Sequence, residues 1–479
     1  MRAIYFLVIV MLTIVSCTKN NSSINVLQAQ DLNFKNRLHI PPLLKAIKSS
    51  KNEVFYKLNV RQGVTEFVKG TRVYTYGYNG SLLGPTIRAK RGQKVTIHVN
   101  NALREYTTVH WHGMLVPGKM DGGPHQTIAP GKTWTASFIV NQPAATAWYH
   151  PHGLGTTARQ VYKGLAGLFI VEDENSKRLN IPKDYGQNDI PIIVQDKRLT
   201  GDGYPLYLTH MRDIMTGMLG NTILVNGVIT PHFKVNKKKY RLRLLNGSNA
   251  RVYNFSFSDN QRFDVIATDG GFLEKPVKRQ SIMLSPGERA EIIVDFASHK
   301  KDTSVELTSG NIDIMQFRIS SDEKDFTIIP EKLVTLNRYK ESLVKKSRLF
   351  NLQGMGHMVA INGKKMDINR IDEYMDYKKT EIWIITSSTS MHGGGMMGRG
   401  MMGSDVVHNF HAHGVHFFIL SRNGKPPRDY ENGWKDTVLL DENEEVKVIT
   451  RYLYKGIFMY HCHILEHEDN GMMGQFLVK

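Results

Sequence analysis

The chain has 479 residues, too many for one ordinary domain, and its 41% hydrophobic content is enough for sizeable cores. Lysine and arginine exceed aspartate and glutamate by 62 − 44 = 18, and the isoelectric point is about 9.6. The basic residues are scattered, without a long run or a nucleic-acid motif, so no nucleic-acid partner is expected.

The N terminus reads "MRAIYFLVIVMLTIVSC": a short basic start, an apolar run from Ile4 to Val15, then Ser16 and Cys17. That run is short for a membrane span, which needs about 20 residues, and suits a secretory signal. Ile14–Cys17, "IVSC", resembles a bacterial lipobox, in which cleavage leaves Cys17 as the lipidated first residue. The other reading is an ordinary signal peptide with a chance cysteine. Residues 1–17 are thus expected as a lipoprotein-type signal and 18–48 as a polar tether. The protein is expected in the bacterial cell envelope, facing the periplasm and held by lipid on Cys17. With Cys462 the only other cysteine, no disulfide is expected.

Beyond the tether come short, β-branched and often alternating runs: "QKVTIHVNN", "TWTASFIV", "GLAGLFIV", "KYRLRLLNGS", "AEIIVDF" and "TEIWIITSS". Gly, Pro, Asn and Asp punctuate them, and no long amphipathic helical stretch occurs. The pattern predicts an all-β chain of three β-sandwich domains, over 49–175, 176–325 and 340–479. Linker-like stretches occupy 172–189 and 320–347. The middle domain lacks the histidine pairs found on either side, which makes it a connecting unit. Two glycine- and methionine-rich segments stand out, "SMHGGGMMGRGMMGSD" (390–405) and the weaker "QGMGHM" (353–358).

Ten of the nineteen histidines fall in four clusters: "HWHG" (110–113), "WYHPHG" (148–153), "HNFHAHG" (408–414) and "HCHILEH" (461–467). On a strand, residues i and i+2 share a face and i+1 points away. His461 and His463 therefore project together, opposite Cys462; His411 and His413 project together, opposite His408. One set is Cys462, His408 and His467, with Met472 available. Two imidazoles, a thiolate and a weak axial thioether describe a blue-copper electron-transfer site. Zinc is the competing reading, but structural zinc usually takes several cysteines. The second set is His110, His112, His150, His152, His411, His413, His461 and His463. Eight neutral nitrogen ligands suit three copper ions with open positions for dioxygen. Cys462 is bonded between His461 and His463, so it joins the two sets as a wire.

On these clusters, and on "VPGKMDGGPHQTIAPG", "PAATAWYHPH", "RQVYKGLAGL", "RLRLLNGSNAR" and "HCHILEHEDNGMMG", the sequence closely resembles the multicopper oxidases over roughly residues 55–479. Within them it is most similar to three-domain bacterial copper-resistance (cuprous) oxidases. The resemblance implies three cupredoxin-like Greek-key sandwiches and four copper ions. It implies a type 1 copper on His408, Cys462, His467 and Met472, and a type 2 copper on His110 and His411. The type 3 pair would use His112, His150, His152, His413, His461 and His463, between the first and third domains. Asp121 and Glu468 match acids that relay protons to reduced oxygen; the plainer role for Asp121 is to stabilise the turn at Gly122–Gly123. Asn409 and Ala412 depart from a proline and a bulky aliphatic residue of the family pattern, but neither is a ligand.

The substrate is less firmly written. Thioethers select Cu(I), and Met391, Met396, Met397, Met401 and Met402 lie just before His408. The alternative is a disordered or simply packed insertion, since methionine also fills cores. Asp405 and Met402 are expected at a substrate site, with Met473 and Met355 as outside candidates. In the relatives the methionine-rich segment lies earlier in the third domain. The function expected is a monomeric oxidase that couples oxidation of Cu(I) to Cu(II) with reduction of O2 to water, in copper tolerance. The alternative is a laccase-like oxidase of phenols, Fe(II) or Mn(II). A non-catalytic copper-binding envelope protein, or a degenerate member with a structural role in cell division, would not need all ten histidines. Copper nitrite reductases lack this His-Cys-His with paired His-x-His clusters.

Overall fold

The computed structural model describes residues 34–323, 327–388 and 407–479. None of the four α-helices among them exceeds six residues, and none is long and apolar enough to cross a membrane. The rest is three two-sheet β-sandwiches, the all-β architecture that the strand pattern predicts.

In the first, Glu53–Thr65 is the hub of a five-stranded sheet, paired with Lys94–Asn101 on one side and Val73–Tyr78 on the other. It alternates as its sequence requires, with Val54, Tyr56, Leu58 and Val60 turned inward. Facing them are Ile87, Ala147, Tyr149 and Phe169 of a three-stranded sheet. The second sandwich has an eight-stranded and a five-stranded sheet. Its strand Asp189–Leu199 is buried on both faces almost throughout. Ile193 and Leu245 of that sheet pack outward against Leu83, Trp148 and Leu168 of the first sandwich, which explains the unbroken apolar run "IPIIV". The third sandwich has two five-stranded sheets, one of them holding Gly456–Cys462 between His408–Ala412 and Met473–Val478.

The expected polar tether of 18–48 differs from the fold at its C-terminal end. From Phe34 onward it is a strap across the second and first sandwiches, with Phe34 N–H donating to the Thr230 carbonyl (2.7 Å), Leu38 N–H to His232 (2.8 Å) and Leu44 N–H to Thr86 (2.8 Å). Leu38, Ile40 and Leu44 anchor it by packing on the two cores. Residues 1–33, including Cys17, lie outside the described residues.

The first and third sandwiches meet closely. The turn Gly118–Met120 lies on strand Gly456–Cys462, where a Cβ on Gly118 would come within 2.8 Å of Ile457 backbone atoms. From the other side, the Asp469 carboxylate accepts from the backbone N–H groups of Thr157 and Ala158 (3.0 and 2.9 Å). The histidines lie along this seam.

Candidate metal centre

Antiparallel register sorts the donors. Phe410 faces Cys462 and His411 faces His461 across the pair His408–Ala412 and Gly456–Cys462, so His408, two residues from Phe410, shares the face of Cys462. The turn after Cys462 leads into helix Leu465–Asp469, which brings back His467. Cys462 Sγ is 3.7 Å from His408 Nδ1 and 3.9 Å from His467 Nδ1. Met472 closes the loop, its carbonyl accepting from Cys462 N–H (3.1 Å) and its N–H donating to the His467 carbonyl (2.9 Å). All four side chains are fully buried. The far nitrogens are committed: His408 Nε2 donates to the Gly354 carbonyl (3.1 Å) and His467 Nε2 to that of Met215 (3.0 Å). Both Nδ1 lone pairs therefore point toward the sulfur.

The eight remaining histidines come together from four segments. His152, His413 and His461 converge with Nε2–Nε2 separations of 3.0–3.2 Å. His112, His150 and His463 form a second group, and His110 and His411 lie beside His112 in a third, each with donor atoms within 4.8 Å of one another. Outer hydrogen bonds again set the tautomers. His413 Nδ1 donates to Asp121 Oδ2 (2.7 Å), His411 Nδ1 to the Asp436 carbonyl (2.8 Å), and His110 Nδ1 to the Asp121 carbonyl (3.0 Å). His112 is inverted: its Nε2 donates to Asp436 Oδ1 (3.0 Å), leaving Nδ1 facing His150.

This chemistry fits copper. Burial, aided by neighbouring imidazoles, holds His112, His150, His411 and His413 well below the usual histidine range. Burial brings His408 and His463 down to about 3 and His467 to about 4. All are neutral at pH 7, the form in which an imidazole can bind a metal. The inward Nε2 atoms of His110 and His411, and both ring nitrogens of His463, are buried without a hydrogen-bond partner, which a bound cation would resolve. Burial pushes the Cys462 thiol up to about 12, so it ionises only against a metal.

Asp121 and Glu468 both reach this group. Asp121 touches His413 as above and lies 3.5 Å from His110 Nδ1; Glu468 Oε2 is 3.1 Å from His461 Nδ1, and Oε1 is 3.6 Å from His152 Nε2. Sequence reasoning missed Asp436, which pins His112 by its carboxylate and His411 by its carbonyl. Arg289, from the middle sandwich, grips that carboxylate through both Nη atoms (2.7 and 2.6 Å). Burial opposes ionisation of Asp436, but the guanidinium holds it below the usual carboxylate range. Asn409 is a clamp: its Oδ1 accepts from His463 N–H (2.7 Å), and its Nδ2 donates to Ser285 Oγ (3.0 Å) and the Pro286 carbonyl (2.8 Å). No local motif flags Asp436 or Arg289, because each acts across a domain boundary, and the departure at Asn409 is visible in the sequence only without its reason.

Of the expected substrate residues, Met391, Met396, Met397, Met401, Met402 and Asp405 lie outside the described residues. Met473 is buried in the strand opposite His461. Met355 is half-buried and adjoins Gly354, the acceptor for His408. Met215 was not singled out by its sequence, yet its carbonyl holds His467, and its sulfur sits where a Cβ on Gly356 would be (2.5 Å).

Residues 59–176, 204–305 and 334–479 match family models described as multicopper oxidase. The chain is 43% identical to the multicopper oxidase mco of Staphylococcus haemolyticus, over 93% of each chain. It is 37% identical to the cell division protein FtsP of Xenorhabdus nematophila, over 92% of each. It superposes on the crystal structure of a laccase from Pediococcus acidilactici with a TM-score of 0.86 at 36% identity, covering 93% of this chain and 94% of that one. Identity of this extent, with matches in all three sandwiches and a histidine seam built for copper, makes the chain a member of the multicopper oxidase family.

Proposed function

We propose that the protein oxidises Cu(I) to Cu(II) one electron at a time and reduces O2 to two waters with four of those electrons, in copper tolerance. His408, Cys462, His467 and Met472 would hold type 1 copper, and His110 with His411 type 2. The type 3 pair would take His112, His150 and His463 on one side and His152, His413 and His461 on the other. Bound there, four coppers supply one-electron transfer at the thiolate and dioxygen reduction at the histidine group. Cys462 provides a covalent path between the two, because His461 and His463 are its chain neighbours. Water formation needs four protons, and Asp121 and Glu468, beside His413 and His461, would pass them. We read 49–175, 176–325 and 340–479 as the domains and Cys17 as a lipid anchor on the exported chain.

The observation that supports the Cu(I) reading is that two methionine-bearing segments adjoin the type 1 group. The imidazoles of His467 and His408 each end on a backbone carbonyl, of Met215 and of Gly354 beside Met355. The backbones of Met215 and of the turn carrying Met355 thus flank the electron-accepting side, where thioethers would be soft ligands for Cu(I), with the 391–402 methionines close by in sequence. The likeness to a laccase favours phenols as a second reading. A non-catalytic or structural role, with the cell division protein FtsP among the relatives, is disfavoured because none of the expected ligands is missing.

Oxygen uptake by copper-loaded protein, given buffered Cu(I) or a phenol, tests this. Fast Cu(I)-dependent uptake that drops about tenfold in Met215→Leu/Met355→Leu or on deletion of 391–402 is expected. Rapid phenol turnover indifferent to these changes would establish the laccase reading instead.

A further inference from the structure

Between the first and second sandwiches, away from the histidines, lies a cavity of about 300 Å³. Tyr74, Tyr162 and Tyr207 contribute aromatic walls, and Arg159, Lys163 and Lys197 contribute three cations; no acidic residue lines it. Tyr74 is 73% exposed, which leaves the mouth open to solvent.

The charges are unequally partnered. Arg159 is neutralised by a bidentate pair with Glu105. Lys163 has only the Tyr76 hydroxyl (3.3 Å) and the face of that ring (4.6 Å). Lys197 is 2% exposed, and its ammonium meets the carbonyl and the ring face of Tyr162. Among the described residues no carboxylate lies within ion-pair distance of Lys163 or Lys197. The neighbouring Asp196 faces away, holding Arg251 Nε (2.8 Å) and Gly220 N–H (2.6 Å). Burial brings Lys197 down only to about 8, so it stays charged at pH 7. Burying a cation without a counter-charge is costly, and an anion alongside offsets that cost.

We propose that this cavity binds a small aromatic carboxylate, with its carboxylate on Lys197 and Lys163 and its ring against the tyrosines. The volume is at the lower end for ligand pockets and suits a single substituted ring. Ring stacking and a buried ammonium together discriminate against both aliphatic acids and neutral arenes. The site is independent of the identity of the oxidised substrate. Its inner wall nonetheless reaches the electron-accepting centre, since the Tyr207 hydroxyl donates to Glu466 Oε1 (3.2 Å), the chain neighbour of His467.

Calorimetric titration of the copper-loaded protein with benzoate, benzamide and acetate tests the assignment. Benzoate is expected to saturate one site, with benzamide and acetate at least about tenfold weaker. Lys197→Met is expected to abolish benzoate binding, and Lys163→Met to weaken it several-fold. Lys163 is half-buried, so its variant decides the matter if Lys197→Met does not fold. Benzoate binding no tighter than acetate or benzamide, or unchanged in the folded variants, would overturn the proposal.

Discussion

Asp436→Asn is the most informative single change, because one carboxylate serves three partners at the seam of all three sandwiches. Its two oxygens hold both Nη atoms of Arg289, and Oδ1 also accepts from His112 Nε2 and Thr437 Oγ1 (2.9 Å). An amide carries a donor on one side. With its NH2 toward Arg289, donor meets donor; with its NH2 toward His112, the imidazole must shift its proton to Nδ1, the nitrogen aimed at His150 and needed as a lone pair if copper binds there. Both orientations carry a penalty. Removing one partner of a buried ion pair costs about 3–5 kcal/mol. Arg289 keeps the carbonyls of Thr146, Gly287 and Asp269, each at 3.0 Å, which places the loss near the lower end, about 3 kcal/mol. Chemical denaturation of the metal-free variant reads that term. Copper per chain after dialysis against a mild chelator reads the tautomer, and copper is expected to fall while the blue thiolate absorption of Cys462 persists. A variant with unchanged stability and full copper content would refute the account of Asp436.

Two further outcomes follow from the geometry. Asn409→Ala leaves the His463 N–H and the Pro286 carbonyl buried without partners, so urea denaturation is expected to show a loss of about 1–3 kcal/mol. Hydrogen bonding from Arg159 holds Glu105 down at about 2, against 4.5 when unfolded. That stabilisation is complete above 4.5 and lost as pH falls through 2. Glu105→Gln is expected to lower stability by at most about 1 kcal/mol near neutrality, given the partial exposure of the pair, with the gap closing on acidification; a gap constant with pH would show that the pair contributes nothing.

The part of this centre that could be read in the sequence follows from strand parity. His411 and His413 share a face opposite His408, and His461 and His463 lie opposite Cys462, so the pleat alone separates two ligand sets before any partner is known. The alternation in Glu53–Thr65 and the unbroken apolar run in Asp189–Leu199 report their burial just as directly. What sequence did not disclose is what tertiary contact creates. Asp436 sits in "WKDTVLL", an unremarkable strand start, and matters only because Arg289, 147 residues earlier, meets it. Asn409 was visible as a departure without a reason, and its reason is a carbonyl on the middle sandwich. Residues 34–48 read as part of a tether because the polar stretch that starts at 18 runs on into them as far as 40, masking the anchors Leu38, Ile40 and Leu44.

The separation of the converging donors also orders the assembly of the molecule in time. His152 and His461 are 309 residues apart in the chain and 3.0 Å apart in space. Closing so long a loop gains nothing until both sandwiches are formed. A polypeptide made from its N terminus completes the first sandwich long before His461 exists. The partnering of His461 then waits for Met473–Val478, which follows it in the chain, to pair with Gly456–Cys462. Copper loading therefore waits until the third sandwich has formed and docked on the first, and loss of strand Met473–Val478 would silence donors contributed more than 300 residues earlier.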